Sequence, residues 1–177
     1  MRLLRALALS LATLAAASAR DGLREIVHPT ADLPAFRCLV PADWESKVDA
    51  AGNLQLANPA HSAFFSLSFA HTSKPADAHD ALARAVFGNA TEPPWESREA
   101  VEVSGHRGFR YAARMKSGKA NVRAELLVVE AGPGHLASCS TIINERIKPE
   151  DETTARLVQA ALKLIVESAL KDPAPPP

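Results

Sequence analysis

Apolar and polar residues alternate with period two through most of the second half of the chain. Between residues 120 and 130, Val122, Ala124, Leu126 and Val128 fall on one face of an extended segment, and Arg123, Glu125, Leu127 and Val129 on the other. Leu127 and Val129 interrupt the polar side. The segment therefore begins half-exposed and ends covered on both faces, the pattern of a central strand with helices packed over it. The same period predicts strands over residues 97–104, 107–116 and 135–144. Gly105-His106, Ser117-Gly118-Lys119 and the four residues 131–134 join them, all short enough for hairpins. The four strands read as an antiparallel meander.

Earlier in the chain, residues 23–28 suggest a short lead-in strand, and residues 35–40 a firmer one closed by Pro41. Residues 53–57 follow Gly52, and residues 63–71 form a Phe-rich strand. In that last strand Phe65, Leu67 and Phe69 share a face, while Phe64 stands out of phase among Ser66 and Ser68 on the other. Phe64 is thus the exception, expected at an edge or beneath a loop.

Two segments carry the helical period instead. Ser73 as N-cap, Pro75 in the first turn, Ala78, Leu82, Ala85 and Val86 at helical spacing, and Gly88 as the stop predict a helix over Pro75–Phe87. A second begins at Pro149 with Glu150, Asp151 and Glu152 in its first turn, where acids complement the helix dipole. Val158, Ala161, Leu162, Ile165 and Ala169 form its apolar stripe, widened by Leu157 and Leu164, and Pro173 limits its end. The fold class expected is α+β: two main helices laid on an antiparallel meander.

The ends of the chain read differently. Residues 1–19 hold Arg2 and Arg5, an apolar run from Leu3 to Ala17, and small residues at Ala17-Ser18-Ala19, the layout of a secretory signal with its cleavage site. The run falls short of the roughly 20 residues that span a bilayer. Cleavage leaves 158 of the 177 residues, the size of one domain over residues 20–172, with a Pro-rich tail over 173–177. The signal removes two arginines and no acid from a chain of 20 basic and 20 acidic residues, shifting the balance to −2. That near-neutrality argues against a nucleic-acid partner. The mature product is expected to be exported, periplasmic or extracellular, with no stable membrane anchor.

Element order and one short motif carry a resemblance. Strands, a helix, a four-strand meander and a terminal helix, with a Pro-x-x-Trp step at Pro41-Ala42-Asp43-Trp44 after the first firm strand, resemble the PsbP-like α/β/α sandwich. That group includes the photosystem II P subunit, the Mog-type Ran-binding proteins and bacterial exported DcrB-like proteins. The resemblance spans residues 35–170 and implies the fold, together with a role in binding other proteins. It brings no catalytic residues to carry over, and the lipobox Cys of the lipoprotein members is absent here.

Chemistry is sparse. The histidines His28, His61, His71, His79, His106 and His135 form no H-x-H or H-x-x-x-H pair, and no cofactor is called for. There is no G-x-S-x-G elbow, and Gly132-Pro133-Gly134 is a turn, too short and constrained to cradle a phosphate. Trp44 and Trp95 stand beside prolines in loops, each a plug for the end of a core or an anchor for a partner, with the resemblance placing Trp44 inward. The expected function is that of an exported non-enzymatic module binding a protein partner, as an accessory or immunity-type factor of an envelope or secretion system. Its rival is a small metal-assisted hydrolase with a site assembled from His61, His71, His79, Asp80 and Glu96.

The two cysteines, Cys38 and Cys139, both fall in predicted strands. Export makes a disulfide between them a natural expectation, against the alternative of two buried thiols. One measurement reads both terminal processing and the bridge. Intact mass of exported material should match a chain starting at Arg20 and lacking the two thiol hydrogens; a retained Met1, or two titratable thiols in the unreduced denatured chain, rejects the corresponding half.

Overall fold

The computed structural model describes residues 22–30, 33–88, 93–103, 105–132 and 134–171. In chain order the elements are β1 (Leu23–Thr30), β2 (Leu33–Pro41), β3 (Glu45–Val48), β4 (Leu54–Ala57), β5 (Ala63–His71), α1 (Pro75–Phe87), β6 (Ser97–Val103), β7 (His106–Ser117), β8 (Ala120–Gly132), β9 (His135–Asn144) and α2 (Pro149–Lys171). The α+β architecture with two main helices and an antiparallel meander is the one expected from the sequence. The signal residues 1–19 and the tail 173–177 lie outside the described residues.

Strands β3 to β9 build one antiparallel sheet in the order β3-β4-β5-β9-β8-β7-β6, while β1 and β2 pair separately as a two-stranded ribbon. Two features differ from the expectation. The lead-in strand runs two residues further and makes its own hairpin with β2, since the alternation in both is met by pairing with each other. β3 was not expected, because Glu45-Ser46-Lys47 carries no apolar alternation. Its backbone nonetheless completes the edge against β4, and a turn fixes that pairing. In the turn, Asp49 accepts hydrogen bonds from the backbone of Ala51 and Asn53 and from the side chains of Asn53 and Gln55. These donors hold the Asp49 carboxyl below its ordinary range, those of Asn53 most strongly.

β9 lies in the middle, and β8 beside it, so both are covered on two faces. On one face Leu127 and Val129 of β8, Ala137, Cys139 and Ile143 of β9, and Phe65 and Leu67 of β5 meet Ala155 and Val158 of α2, with Val40 and Ile26 from the ribbon. On the other, Ala124, Leu126 and Val128 of β8, Leu136 of β9, and Tyr111 and Ala113 of β7 meet Ala83 and Phe87 of α1. The two faces of β8 named by its sequence alternation are therefore the two cores of an α/β/α sandwich. Leu157 corrects the expected stripe of α2: it is 68% exposed, because it lies about 100° around the helix from buried Val158. The N-cap of α1 is Lys74 rather than Ser73, since Pro75 is already the first helical residue.

Short polar ties fix the layers. Arg123 of β8 donates to Glu152 of α2 at 2.8 Å, and Arg156 does so from one turn further along the helix at 2.9 Å. Their guanidinium groups, Arg123 first, lower the Glu152 pKa. Arg24 of the ribbon donates to Ser46 Oγ and to the carbonyl of Trp44. Gly108 marks the closest approach of β7 to β8, where a Cβ would sit 2.1 Å from the Val128 carbonyl oxygen.

Trp44 closes one end of the α2-side core. It is 4% exposed and meets the Phe65 ring at 5.5 Å between centroids. Trp44→Ala should lower the unfolding free energy by about 3 to 5 kcal/mol, the range for truncating a large buried aromatic. Denaturant titration checks this, and an unchanged midpoint would show that the ring contributes nothing to the fold.

Candidate functional site

The two sheet faces are covered unequally. α2 packs on β2, β5 and β9, whereas α1 packs on β7, β8 and β9. On the α1 side, β3, β4 and β5 are left without a helix, and a groove of about 550 Å³ opens there across β3, β4, β5 and β9. Glu45 and Lys47 of β3, Gln55 of β4, Phe64 and Ser66 of β5, Ser140 and Ile142 of β9, and His61 from the β4–β5 turn line it.

Register explains this lining. Ala57 faces Phe64, which faces Ile142; the next row runs Gln55, Ser66, Ser140; the next pairs Ser68 with Ser138. Four serines thus form a two-by-two block on β5 and β9, with Ser68 Oγ and Ser138 Oγ 2.6 Å apart. Of these, Ser66 and Ser140 line the groove, where hydroxyls suit a floor that no helix seals, since water or a ligand can satisfy them, while Ser138 is buried and satisfied by its bond with Ser68. Phe64 remains 41% exposed on this floor beside Ile142. Its out-of-phase place singles it out in the sequence, but it sits neither at an edge nor beneath a loop: β5 pairs on both sides, with β4 and β9, and the ring is open on the uncovered face.

The groove's end wall is positioned from below. Asn58 is buried, and its Oδ1 accepts the backbone N–H groups of Ser62 and Ala63 at 2.8 and 2.9 Å while its Nδ2 donates to Ser62 Oγ. The turn this imposes puts His61 in the left-handed region at φ 49°, with its ring 6.0 Å from that of Phe64 and its Nε2 3.6 Å from Glu45 Oε1. The assembly offers an aromatic platform, hydrogen-bonding hydroxyls and one charge of each sign at the rim. Those are the elements of a binding surface.

A second pocket of about 590 Å³ lies on the same face at the opposite end of the strand order, lined by His79, Arg98, Phe109, Glu130 and their neighbours. His79 is 2% exposed, edge-on to Phe109, with Nε2 4.0 Å from Glu130 Oε1. Beside it, Tyr111 donates to Asp80 Oδ1 at 2.6 Å and Arg98 Nε donates to the same oxygen at 2.9 Å. Arg98 also lies over the Phe109 ring at 3.5 Å. The Tyr111 hydrogen bond is the foremost cause that lowers the Asp80 pKa, and burial is foremost in pushing Tyr111 up to about 12.

The five residues of the hydrolase expectation are dispersed. His61 lines the first groove and His79 the second, Asp80 is tied to Arg98 and Tyr111, and Glu96 pairs with Arg114. His71 meets His135 across β5 and β9 at 5.2 Å. Among the described residues, no three His, Cys, Asp or Glu side chains gather in a way that could hold a metal ion. Trp95 packs edge-on to Tyr111 at 5.0 Å, with Arg84 over its ring. Cys139 is buried on β9, and the Cys38 side chain lies outside what the structure describes.

No family model matches the sequence, and no curated protein does. Solved structures do share its fold. A protein from Bacteroides thetaiotaomicron VPI-5482 superposes with a TM-score of 0.50 and 14% identity over 79% of this chain, which spans only 47% of that one. LpqN of Mycobacterium tuberculosis, described as involved in cell envelope biogenesis, gives 0.50 and 15% over 82% of this chain and 88% of its own. Cyanobacterial PsbP (CyanoP) from Synechocystis sp. PCC 6803 lies at 0.49 and 14%, over 79% and 91%. The two structures at a TM-score of 0.50 share the α+β fold expected from element order, and at these identities the likeness concerns fold alone.

The Asp80–Tyr111 bond ties α1 to the sheet, and its contribution depends on pH. Asp80 is lowered in the folded chain, so its share of stability is present above the ordinary carboxylate range near 4 and lost as pH falls through the lower folded value. Tyr111→Phe should cost about 1 kcal/mol at neutral pH, a modest figure because the Asp80 carboxylate stands half in water. Thermal or denaturant unfolding of both proteins should show that difference shrinking below pH 4. A pH-independent difference would mean that ring packing, not the bond to Asp80, is what changed.

Proposed function

We propose that this chain is an exported, non-enzymatic protein-binding module that receives a partner segment in the groove over β3, β4, β5 and β9. The observation that carries the reading is Phe64. It is 41% exposed, it stands in an open groove, and it is held there by register between Ala57 and Ile142. An aromatic platform bordered by hydroxyls suits a segment that places an apolar side chain against Phe64 and Ile142 and turns polar groups to Ser66 and Ser140.

The setting we propose is the bacterial envelope, as an accessory or immunity-type factor. The signal-like residues 1–19 support export. No helix among the described residues is long and apolar enough to cross a membrane, and LpqN, similar in fold, is described as involved in cell envelope biogenesis. Of the plug and anchor readings the sequence left open for Trp44 and Trp95, whose rings pack on Phe65 and Tyr111, we give the anchor role to Phe64 instead. The oxidising compartment that export provides is also the condition for a Cys38–Cys139 bridge.

Phe64→Arg tests the groove. Because Phe64 is a surface residue, the variant should unfold within about 0.5 kcal/mol of the native chain. Partner capture from the native envelope fraction, with mass spectrometry of bound proteins, should lose a component that the native chain retains. Affinity for that component should fall at least about tenfold, as for an aromatic anchor. Equal recovery by both proteins would sink the reading.

A further inference from the structure

The groove lies toward one edge of the sheet; the other edge is β6, and it has a different character. β6 is seven residues long, pairs with β7 along its whole length and is exposed over most of it. It contains no proline and no left-handed residue, and its register with β7 runs without a bulge. Such an edge presents a straight row of backbone donors and acceptors to any strand that can lie beside it. Only its side chains, Ser97-Arg98-Glu99-Ala100-Val101-Glu102-Val103, decide which strand that is.

They select themselves. We propose that β6 pairs antiparallel with β6 of a second copy about a two-fold axis through Ala100, joining two seven-stranded sheets into one. In this register Arg98 of each copy faces Glu102 of the other, and Ala100 faces its own counterpart. Both charge pairs lie on the α1 side of the sheet, where Arg98, Ala100 and Glu102 are paired in sequence order with Tyr111, Phe109 and Arg107. Opposite charges directly across a ladder stabilise it, and like charges oppose it. Sliding the copies by one residue in one direction leaves every charge facing a neutral residue. Sliding by one in the other direction places Glu99 opposite Glu102 twice, and a two-residue slide either way shortens the overlap to five, in one direction setting Glu99 against itself. The register with full seven-residue overlap is also the one that matches charge.

Arg98 is already held in place for this role. Its Nε is fixed by Asp80 and its guanidinium carbon lies 3.5 Å from the Phe109 ring centroid, yet 37% of its side chain is open to solvent. A guanidinium held in this way loses little freedom on pairing. The contact is isologous, so it closes at two copies and leaves no growing edge of this kind. It leaves the groove free, since β3 and β6 are at opposite ends of the strand order.

Sedimentation velocity over a concentration series of the exported chain should show a reversible monomer–dimer equilibrium. Glu102→Lys, which sets like charges against Arg98 of the second copy at two places, should weaken the dimer at least about tenfold. Glu99→Lys makes the same charge change one strand face away, opposite Val101, and should alter it less than about threefold. Ala100→Cys should form a reducible cross-linked dimer with itself under mild oxidation, because residues directly opposite in a ladder have Cα atoms within disulfide reach, whereas Glu99→Cys should not. A chain that stays monomeric throughout overturns the dimer. Equal effects of the two lysine substitutions, or cross-linking at 99 but not at 100, overturn the register.

Discussion

The pairing of β5 with β9 is the constraint on which the molecule depends. It runs nine residues without a break, from Ala63 facing Ile143 to His71 facing His135, and joins the N-terminal hairpins to the C-terminal meander across some seventy residues of chain. β9 is thereby placed in the centre of the sheet, where both layers of the sandwich use it: Ala137 and Cys139 turn to α2, Leu136 to α1. A slip of one residue would exchange these faces, sending Phe65 and Leu67 into the open groove and Ser66 and Ser68 into the α2-side core. Register there is therefore fixed by the burial of Phe65 and Leu67, and closing so long a loop is repaid only when the whole strand pairs.

From that pairing the unequal faces follow. The connection from β5 into α1 is short, Thr72 to Lys74, and the helix lies over β7, β8 and β9. It contributes Ala83 and Phe87 to a core that also takes Tyr111, Leu126 and Val128. Thirteen residues of helix cannot reach across seven strands as well. What remains uncovered mixes Ser66, Ser140 and Gln55 with Phe64 and Ile142 instead of carrying a second helix layer. A surface of that composition can be specific, because Phe64 and Ile142 are placed by backbone register rather than by a flexible loop.

Polar side chains in this protein mostly serve as ties between layers. Glu152 gathers Arg123 and Arg156 at the start of α2, Asp80 gathers Tyr111 and Arg98 beneath α1, and Asn58 and Asp49 set the two turns of the β3–β4–β5 hairpins. Glu152, Asp80 and Asp49 are each lowered by the donors around them.

The strand and helix pattern was legible in the sequence because it rests on local periodicity. β5, β9 and α1 begin and end where the alternation, the helical spacing and Gly88 place them, and the two-sided burial of β8 follows from the break that Leu127 and Val129 make in its polar face. The separate β1–β2 ribbon and the short β3 were not legible, since one depends on which strand finds which neighbour and the other is held by Asp49 rather than by apolar side chains. The candidate site divides in the same way. Phe64 could be singled out because it breaks the phase of its own strand. That four serines meet, that Ile142 stands beside Phe64, that His61 closes the end and that β6 remains at an edge were decided by tertiary structure alone, because period two records which side of a strand a residue faces but carries no information about which strand lies beside it.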